Sequence, residues 1–290
     1  MRQKSSYAGL FFVLPSFCIL LLIALAPIGY SAWLSLTNYD GFTPGQFVGL
    51  ANYRQLLTDQ SLHAALWHTV VFTVIAVPLQ MTLPLVLAEL LARTRDRWLS
   101  SFVRSVLFIP VIASLILVGT IWQFLLSAQG GLFNDTLAAL GVGPINFLGR
   151  PTLALVCVAL VTVWKNIGYF LVIYYAAVLD VPQHLYEAAM VDGAGPVRRF
   201  FSITLPGVRN VTFLVLVLST IWSFQVFDLV YAMTGGGPGG ATTTIVMAIY
   251  ELAFAGGYRM GYASAIAMLL LVIVVGCSAL QRLAFGREDK

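Results

Sequence analysis

Six times along this chain, a run of predominantly apolar residues is long enough to cross the hydrocarbon core of a bilayer, which takes about 20 residues of helix. The runs are 10–36, 67–91, 104–126, 152–178, 209–233 and 262–282. A segment of this kind can be buried only by lipid or by another like it. Six of them in 290 residues leave too little polar chain to cover a water-soluble surface. Charged residues make up 10% and hydrophobic ones 59%, against about 25% and roughly 45–50% in soluble domains. The same wealth of aliphatic and aromatic residues excludes disorder. The expectation is an all-α polytopic membrane protein, with six transmembrane helices in a single domain over 1–290. The first run follows Met1-Arg2-Gln3-Lys4 and continues through Pro27 to Trp33 with no small-residue cleavage site, so it reads as a retained span.

Lysine and arginine placement predicts the orientation. Segments on the side of the N-terminus carry Arg2, Lys4, Arg93, Arg95, Arg97, Arg104, Arg198, Arg199, Arg209, Arg282, Arg287 and Lys290, whereas the opposite loops carry only Arg54, Arg150 and Arg259. Cytoplasmic loops hold the excess of basic residues, so both termini are expected inside. The net charge of +4 then reports topology, and no nucleic-acid partner is expected. On the outer side, residues 50–62 and 132–140 read as short surface helices, the second capped by Asn134 or Asp135. Ile245–Ala255 is apolar but too short to span, and is placed at the outer interface. The cluster Gly235-Gly236-Gly237-Pro238-Gly239-Gly240 marks a turn after the fifth span.

Several chemistries lack their residues. No lysine follows a glycine, so there is no phosphate-binding P-loop, and ATP, if used, must bind another chain. HExxH and GxSxG are missing as well. Cys18, Cys157 and Cys277 lie far apart in apolar runs and suggest neither a zinc site nor a disulfide framework. His63 and His68 are five apart, a spacing that does not align them on one helical face. Neither an enzymatic centre nor a metal site is expected.

The stretch between the fourth and fifth spans, 180–206, carries the most information. Asp180 can cap a helix with Pro182 in its first turn, Gly193 should stop that helix, Pro196 should open a second, and Pro206 should close it. Ala188, Ala189, Gly193, Ala194 and Gly195 leave room for a partner to approach the backbone. Leu185, Val191, Phe200 and Phe201 offer apolar anchors, and Glu187, Asp192, Arg198 and Arg199 offer polar ones. From composition alone, a docking surface and an ordinary connector lying on the membrane both remain open.

The spacing Glu187-Ala188-Ala189, three residues, Gly193, nine residues, Ile203-Thr204-Leu205-Pro206 resembles the EAA loop of binding-protein-dependent ABC importer permeases. Phe47-Val48-Gly49-Leu50-Ala51-Asn52-Tyr53, Tyr186-Glu187-Ala188-Ala189 and Met233-Thr234-Gly235-Gly236-Gly237-Pro238 resemble its carbohydrate branch, the maltose-type and glycerol-phosphate-type permeases. The resemblance implies the type I importer permease (MetI-like) fold in a bacterial or archaeal plasma (inner) membrane. It also implies a second permease subunit, two cytoplasmic ATPase subunits, an extracytoplasmic solute-binding protein and a sugar or sugar-like solute. No cofactor is implied in this chain, since ATP and Mg would sit in the ATPase subunits. Glu187, Ala188, Ala189, Asp192, Gly193, Leu205 and Pro206 would couple to the ATPase.

Polar residues inside the spans are costly and should face protein or water. Lys165, the only mid-span lysine, and its neighbours Trp164, Asn166 and Gly168 either border a solute cavity or settle Lys165 at a subunit interface, with Asp228 a candidate partner. Ser219 and Ser223 share a helical face, with Gln225 and Asp228 one turn on. By the family resemblance, Val111 and Leu115 would join them along a substrate pathway. Glu89 is expected to pair with nearby arginines. A competing class is a self-sufficient secondary transporter or channel driven through Lys165 and Asp228. The absence of an evident repeat and of broken mid-membrane helices stands against it.

Overall fold

The structure is a computed structural model that describes residues 8–94 and 96–285, with side chains from residue 12 onward. Arg2, Lys4, Arg95, Arg287 and Lys290 of the basic set lie outside the described residues. In chain order the helices are α1 (Ala8–Leu20), α2 (Ala26–Leu34), α3 (Ala51–Leu56), α4 (Gln60–Arg93), α5 (Arg97–Ile112) and α6 (Leu115–Leu125). They continue with α7 (Leu132–Ala139), α8 (Pro151–Asp180), α9 (Gln183–Val191), α10 (Pro196–Arg199), α11 (Leu205–Gly207) and α12 (Arg209–Phe224). The last three are α13 (Asp228–Thr234), α14 (Ile245–Ala253) and α15 (Met260–Phe285). Four spans are unbroken or nearly so, Phe12–Leu34, α4, α8 and α15, and two bent helix pairs bring the number to six.

Helix breaks correct the expected third and fifth spans, and the second bent pair, Pro196–Gly207 with Arg209–Phe224, turns by 73° at Val208, where the expected fifth span starts. Residues 104–126 are not one helix: α5 and α6 meet at 100°, with Ala113 and Ser114 both extended (ψ 144° and 137°). Residues 209–233 break at Gln225–Phe227, between α12 and α13. Broken helices therefore do occur, and their supposed absence no longer speaks against a secondary transporter. In the first span the hydrogen bonding widens to a π-turn at Leu21–Leu25, where the Ala26 N–H reaches back to the Leu21 carbonyl. Pro27 follows at once and has no N–H to give, which accounts for the local rewinding.

Three further expectations shift. The helix expected over 50–62 is only α3, because residues from Gln60 onward join α4. Neither Asn134 nor Asp135 caps α7; Gly131 holds that position. Asn134 is buried instead, donating to the Ser127 and Ile145 carbonyls and accepting the Ile145 N–H. Asp180 ends α8 rather than starting α9, and the chain runs helically through Pro206 to Gly207. A proline in the first turn of a helix donates nothing that is missed there, so Pro206 opens α11 rather than closing α10.

The chain forms two compact units, residues 1–60 with 248–272, and 61–247 with 273–290. In the first, Asn52 donates to both the Ser35 and Thr37 carbonyls at 2.8 Å, tying α3 to the end of α2. Gly261 sits against the Thr37 carbonyl so closely that any side chain would overlap it, while Tyr262 donates to Asp59 at 2.7 Å. In the second unit, α8 is the central post. Toward its start, Leu155, Val158 and Val161 pack with Phe72 and Ala76 of α4, Val118 of α6 and Leu229, Val230 and Met233 of α13. Toward its end, Phe170, Leu171, Tyr174 and Val178 pack with Leu85, Ala88 and Leu91 of α4 and Val215 of α12. Helices in lipid gain little from apolar burial itself and associate through close packing of small residues. Ala76, Ala88, Ala154 and Ala159, all fully buried, fit that rule. Large apolar side chains such as Val74, Ile109, Ile112, Phe124 and Val272 point outward, as lipid contact requires.

Candidate functional site: an intramembrane cavity and an exposed loop

The breaks at Ala113–Ser114 and Gln225–Phe227 open on one cavity of about 340 Å3. Its wall is built from Gln80 of α4, Leu115 of α6, Thr162, Lys165 and Asn166 of α8, Trp222 and Ser223 of α12, and Gln225–Leu229. The Ser223 hydroxyl and both amide atoms of Gln80 are buried without a hydrogen-bond partner among the described residues. Leaving such groups unpaired costs about 1–3 kcal/mol each, so the wall is ready to hydrogen-bond water or a polar solute.

Of the ten predicted pathway residues, Leu115, Lys165, Asn166, Ser223, Gln225 and Asp228 come together on this wall. The other four have different neighbours. Trp164 packs edge-on against Trp122 of α6, centroids 5.3 Å apart. Gly168 lies against the backbone of Leu107 and Phe108. Ser219 returns its hydroxyl to the Leu216 carbonyl. Val111 presents its carbonyl to the Lys165 ammonium at 3.3 Å. Asp228 shares the wall with Lys165 but forms no ion pair with it. Glu89 does pair with an arginine, Arg93, at 3.0 Å. His68 uses Nδ1 to meet the Thr243 carbonyl at 3.2 Å.

The second feature is the loop. Helix α9 ends in a Schellman turn: Ala194 N–H bonds the Ala189 carbonyl at 2.8 Å and Gly193 N–H bonds that of Met190 at 3.1 Å. Gly193 takes φ +75°, the left-handed conformation that glycine adopts without penalty. One residue of α9 is buried, Tyr186, whose hydroxyl meets Thr204 Oγ1 at 3.0 Å while the Arg93 guanidinium lies 3.6 Å over its ring. Everything else on α9 except the half-buried Ala189 is exposed, including Glu187, Ala188 and Val191, and a groove of about 940 Å3 runs alongside between α4, α9 and Phe200–Phe201. Helix α9 is thus fastened by one tyrosine, with most of its remaining surface bare.

Comparison with known proteins decides the family. Residues 80–285 match the model of the binding-protein-dependent transport system inner membrane component. This chain is a permease of that family. The permease is 35% identical over 294 residues to a probable ABC transporter permease protein of Bacillus subtilis, covering all of both chains. It is also 35% identical over 277 residues to the trehalose/maltose transport system permease protein of Thermococcus litoralis, covering 95% of this chain and 92% of that one. Its fold matches a bacterial ABC transporter involved in the import of the acidic polysaccharide alginate. The TM-score is 0.86 at 21% identity, over 99% of this chain and 98% of the other. The type I (MetI-like) architecture, the transport class and the inner-membrane setting expected from the EAA spacing thus hold.

Two residues escaped sequence reading. Gln80 stands between Pro78 and Pro84 in an apolar run; a lone amide in a span is the signal that could have revealed it. Tyr186 belongs to the quoted motif, but nothing in the pattern distinguishes a buried fastener from an exposed contact.

Proposed function

We propose that this permease lines the translocation path of an ATP-driven importer for a sugar or sugar-like solute, beside a second permease subunit. An extracytoplasmic binding protein delivers the solute, and both termini lie in the cytoplasm. Two ATPase subunits hold the ATP and Mg, and each permease presents one coupling loop to them. In this chain that loop is 180–206, with Glu187 making the polar contact, Ala188 and Ala189 the close packing, and Gly193 the bend beside Asp192. Leu205 and Pro206 form the hinge back to α12. Asn166, Ser223, Gln225 and Asp228 contribute polar groups to the solute path, Lys165 stands in the same wall, and Leu115 adds a less polar stretch; the sugar preference is supported by the trehalose/maltose relative.

The observation that carries this reading is α9 itself, an exposed EAA helix ended at Gly193 and fastened to the second span through Tyr186 and Arg93. Closure of an ATPase pair would push α9 as a lever, and the Arg93–Tyr186 contact would pass that motion to α4, whose Gln80 faces the cavity. The test is reconstitution with the ATPase subunits and the binding protein in proteoliposomes. Glu187→Lys should leave the permease in the membrane while abolishing binding-protein-stimulated ATPase activity and uptake. Normal uptake by that variant would overturn the coupling role. Ion-driven uptake by the permease alone would establish the secondary-transporter reading instead.

A further inference from the structure

In an unbroken helix the Val111 carbonyl would take the N–H of Leu115. The break at Ala113 and Ser114 removes that donor, and the last carbonyls of α5 are left without intrahelical partners. Lys165 Nζ stands 3.3 Å from the Val111 oxygen, its side chain buried and, among the described residues, without an ion pair. We propose that Lys165 is a positioning residue that caps the cut end of α5 and so fixes the 100° bend of the third span.

Two further contacts place the cap. Gly168 lies three residues on from Lys165 and on the same face of α8. A side chain there would overlap the Leu107 carbonyl, so its absence lets the α5 backbone lie directly on α8. Leu107 and Val111 are one turn apart on α5, matching the spacing of Gly168 and Lys165 on α8. On the far side of the break, Trp164 of α8 packs on Trp122 of α6. Helix α8 runs unbroken for 30 residues with proline only at its first position. It therefore splints the bent span, gripping α5 through Gly168 and Lys165 and α6 through Trp164.

The ammonium suits this task twice over. A cation is favoured at the C-terminal end of a helix, where the carbonyl dipoles converge. A carbonyl partner also satisfies a lysine in the membrane without an acidic residue. Lys165 thus acts through the backbone of α5, and its contribution to the solute path is the shape it gives the wall at Leu115.

The test reads the bend directly. Spin labels at Ile109 and Phe124, both outward-facing and on opposite sides of the break, are introduced with the three native cysteines replaced by alanine. The distance between them is measured by pulsed electron resonance in the nucleotide-free assembly purified with its partner subunits. The expected result is a single narrow distance for the parent and for Lys165→Arg, which retains a donor. Lys165→Met should broaden the distribution or shift it by several Å, and Gly168→Ala should do the same without touching the ammonium. Should Lys165→Met not reach the membrane, Lys165→Gln, with a shorter donor, decides the matter by an intermediate width. An unchanged narrow distance in Lys165→Met or Lys165→Gln overturns the proposal, as does a shift that Lys165→Arg fails to prevent. Because neither solute nor ATP is present, failure of the cap is distinguishable from failure of the coupling reading, which would show earlier as loss of assembly.

Discussion

Gly193 offers a perturbation whose cost can be separated into parts before any measurement. A Cβ built at Gly193 meets no atom within 4 Å. Its φ of +75° is left-handed, where an ordinary L-residue costs roughly 1–2 kcal/mol and asparagine less. Substitution therefore clashes with nothing in the permease, and the penalty is conformational alone. In the free permease the exposed loop can relax and escape that penalty; once docked, it must hold the Schellman turn. Gly193→Ala should weaken association with the ATPase subunit by up to about 5–30-fold, the factor equivalent to 1–2 kcal/mol. Gly193→Asn should lose much less, Gly193→Val more, because branching at Cβ makes this region worse still. Gly193→Asp adds a carboxylate next to Asp192 and should uncouple ATP hydrolysis from uptake. The assay is a titration of purified ATPase subunit onto permease in nanodiscs, with thermal unfolding of the permease as control. Unchanged affinity for Ala and Val would refute the need for a left-handed turn. Equal, complete loss for Asn, Ala and Val would show that the partner touches Gly193 itself, and the bend argument would fall.

Thr69 accepts the N–H of Ile245 at 2.9 Å while donating to the Ala65 carbonyl, and both Thr69 and Ile245 are fully buried. Thr69→Val should therefore cost about 1–3 kcal/mol by stranding that N–H, with Thr69→Ser near neutral, as read by thermal unfolding in detergent. Asp40 accepts the N–H groups of Thr43 and Phe42 and the Thr43 hydroxyl, which hold its carboxyl below the ordinary carboxylate range. A depressed acid stabilises its loop fully above the unfolded value and loses that contribution as pH falls through the folded one. The protection factors of the Phe42 and Thr43 amides, measured against the intrinsic exchange rate at each pH, should thus stay constant between about pH 5 and 8, fall only in stronger acid, and be lowered across that neutral range by Asp40→Asn.

The spans were legible because each is a long apolar run, and the loop because its small and charged residues keep a fixed spacing. The helix breaks were not legible, for a physical reason. Pro15, Pro78 and Pro84 all lie inside continuous helices, while Pro110 precedes its break by three residues. The break at Gln225–Phe227 contains neither proline nor glycine. Breaker residues therefore do not locate these two breaks, although Pro206 and Gly207 do precede the 73° bend at Val208, because neighbouring helices and side chains can satisfy whatever a proline leaves open. What decides is the surroundings. Freed N–H and C=O groups facing lipid would each cost several kcal/mol, so irregular backbone persists at membrane depth only beside protein or water. Both breaks obey this: Leu115 follows one, Gln225–Leu229 contains the other, and all of these residues line the same cavity. The breaks and the unpaired Gln80 and Ser223 are then two consequences of one fact, that this side of the helices faces a cavity with polar walls rather than hydrocarbon. The cavity is recorded in tertiary arrangement, and a reading of one helix at a time could reach its individual polar residues but not the carbonyl of Val111 that Lys165 holds.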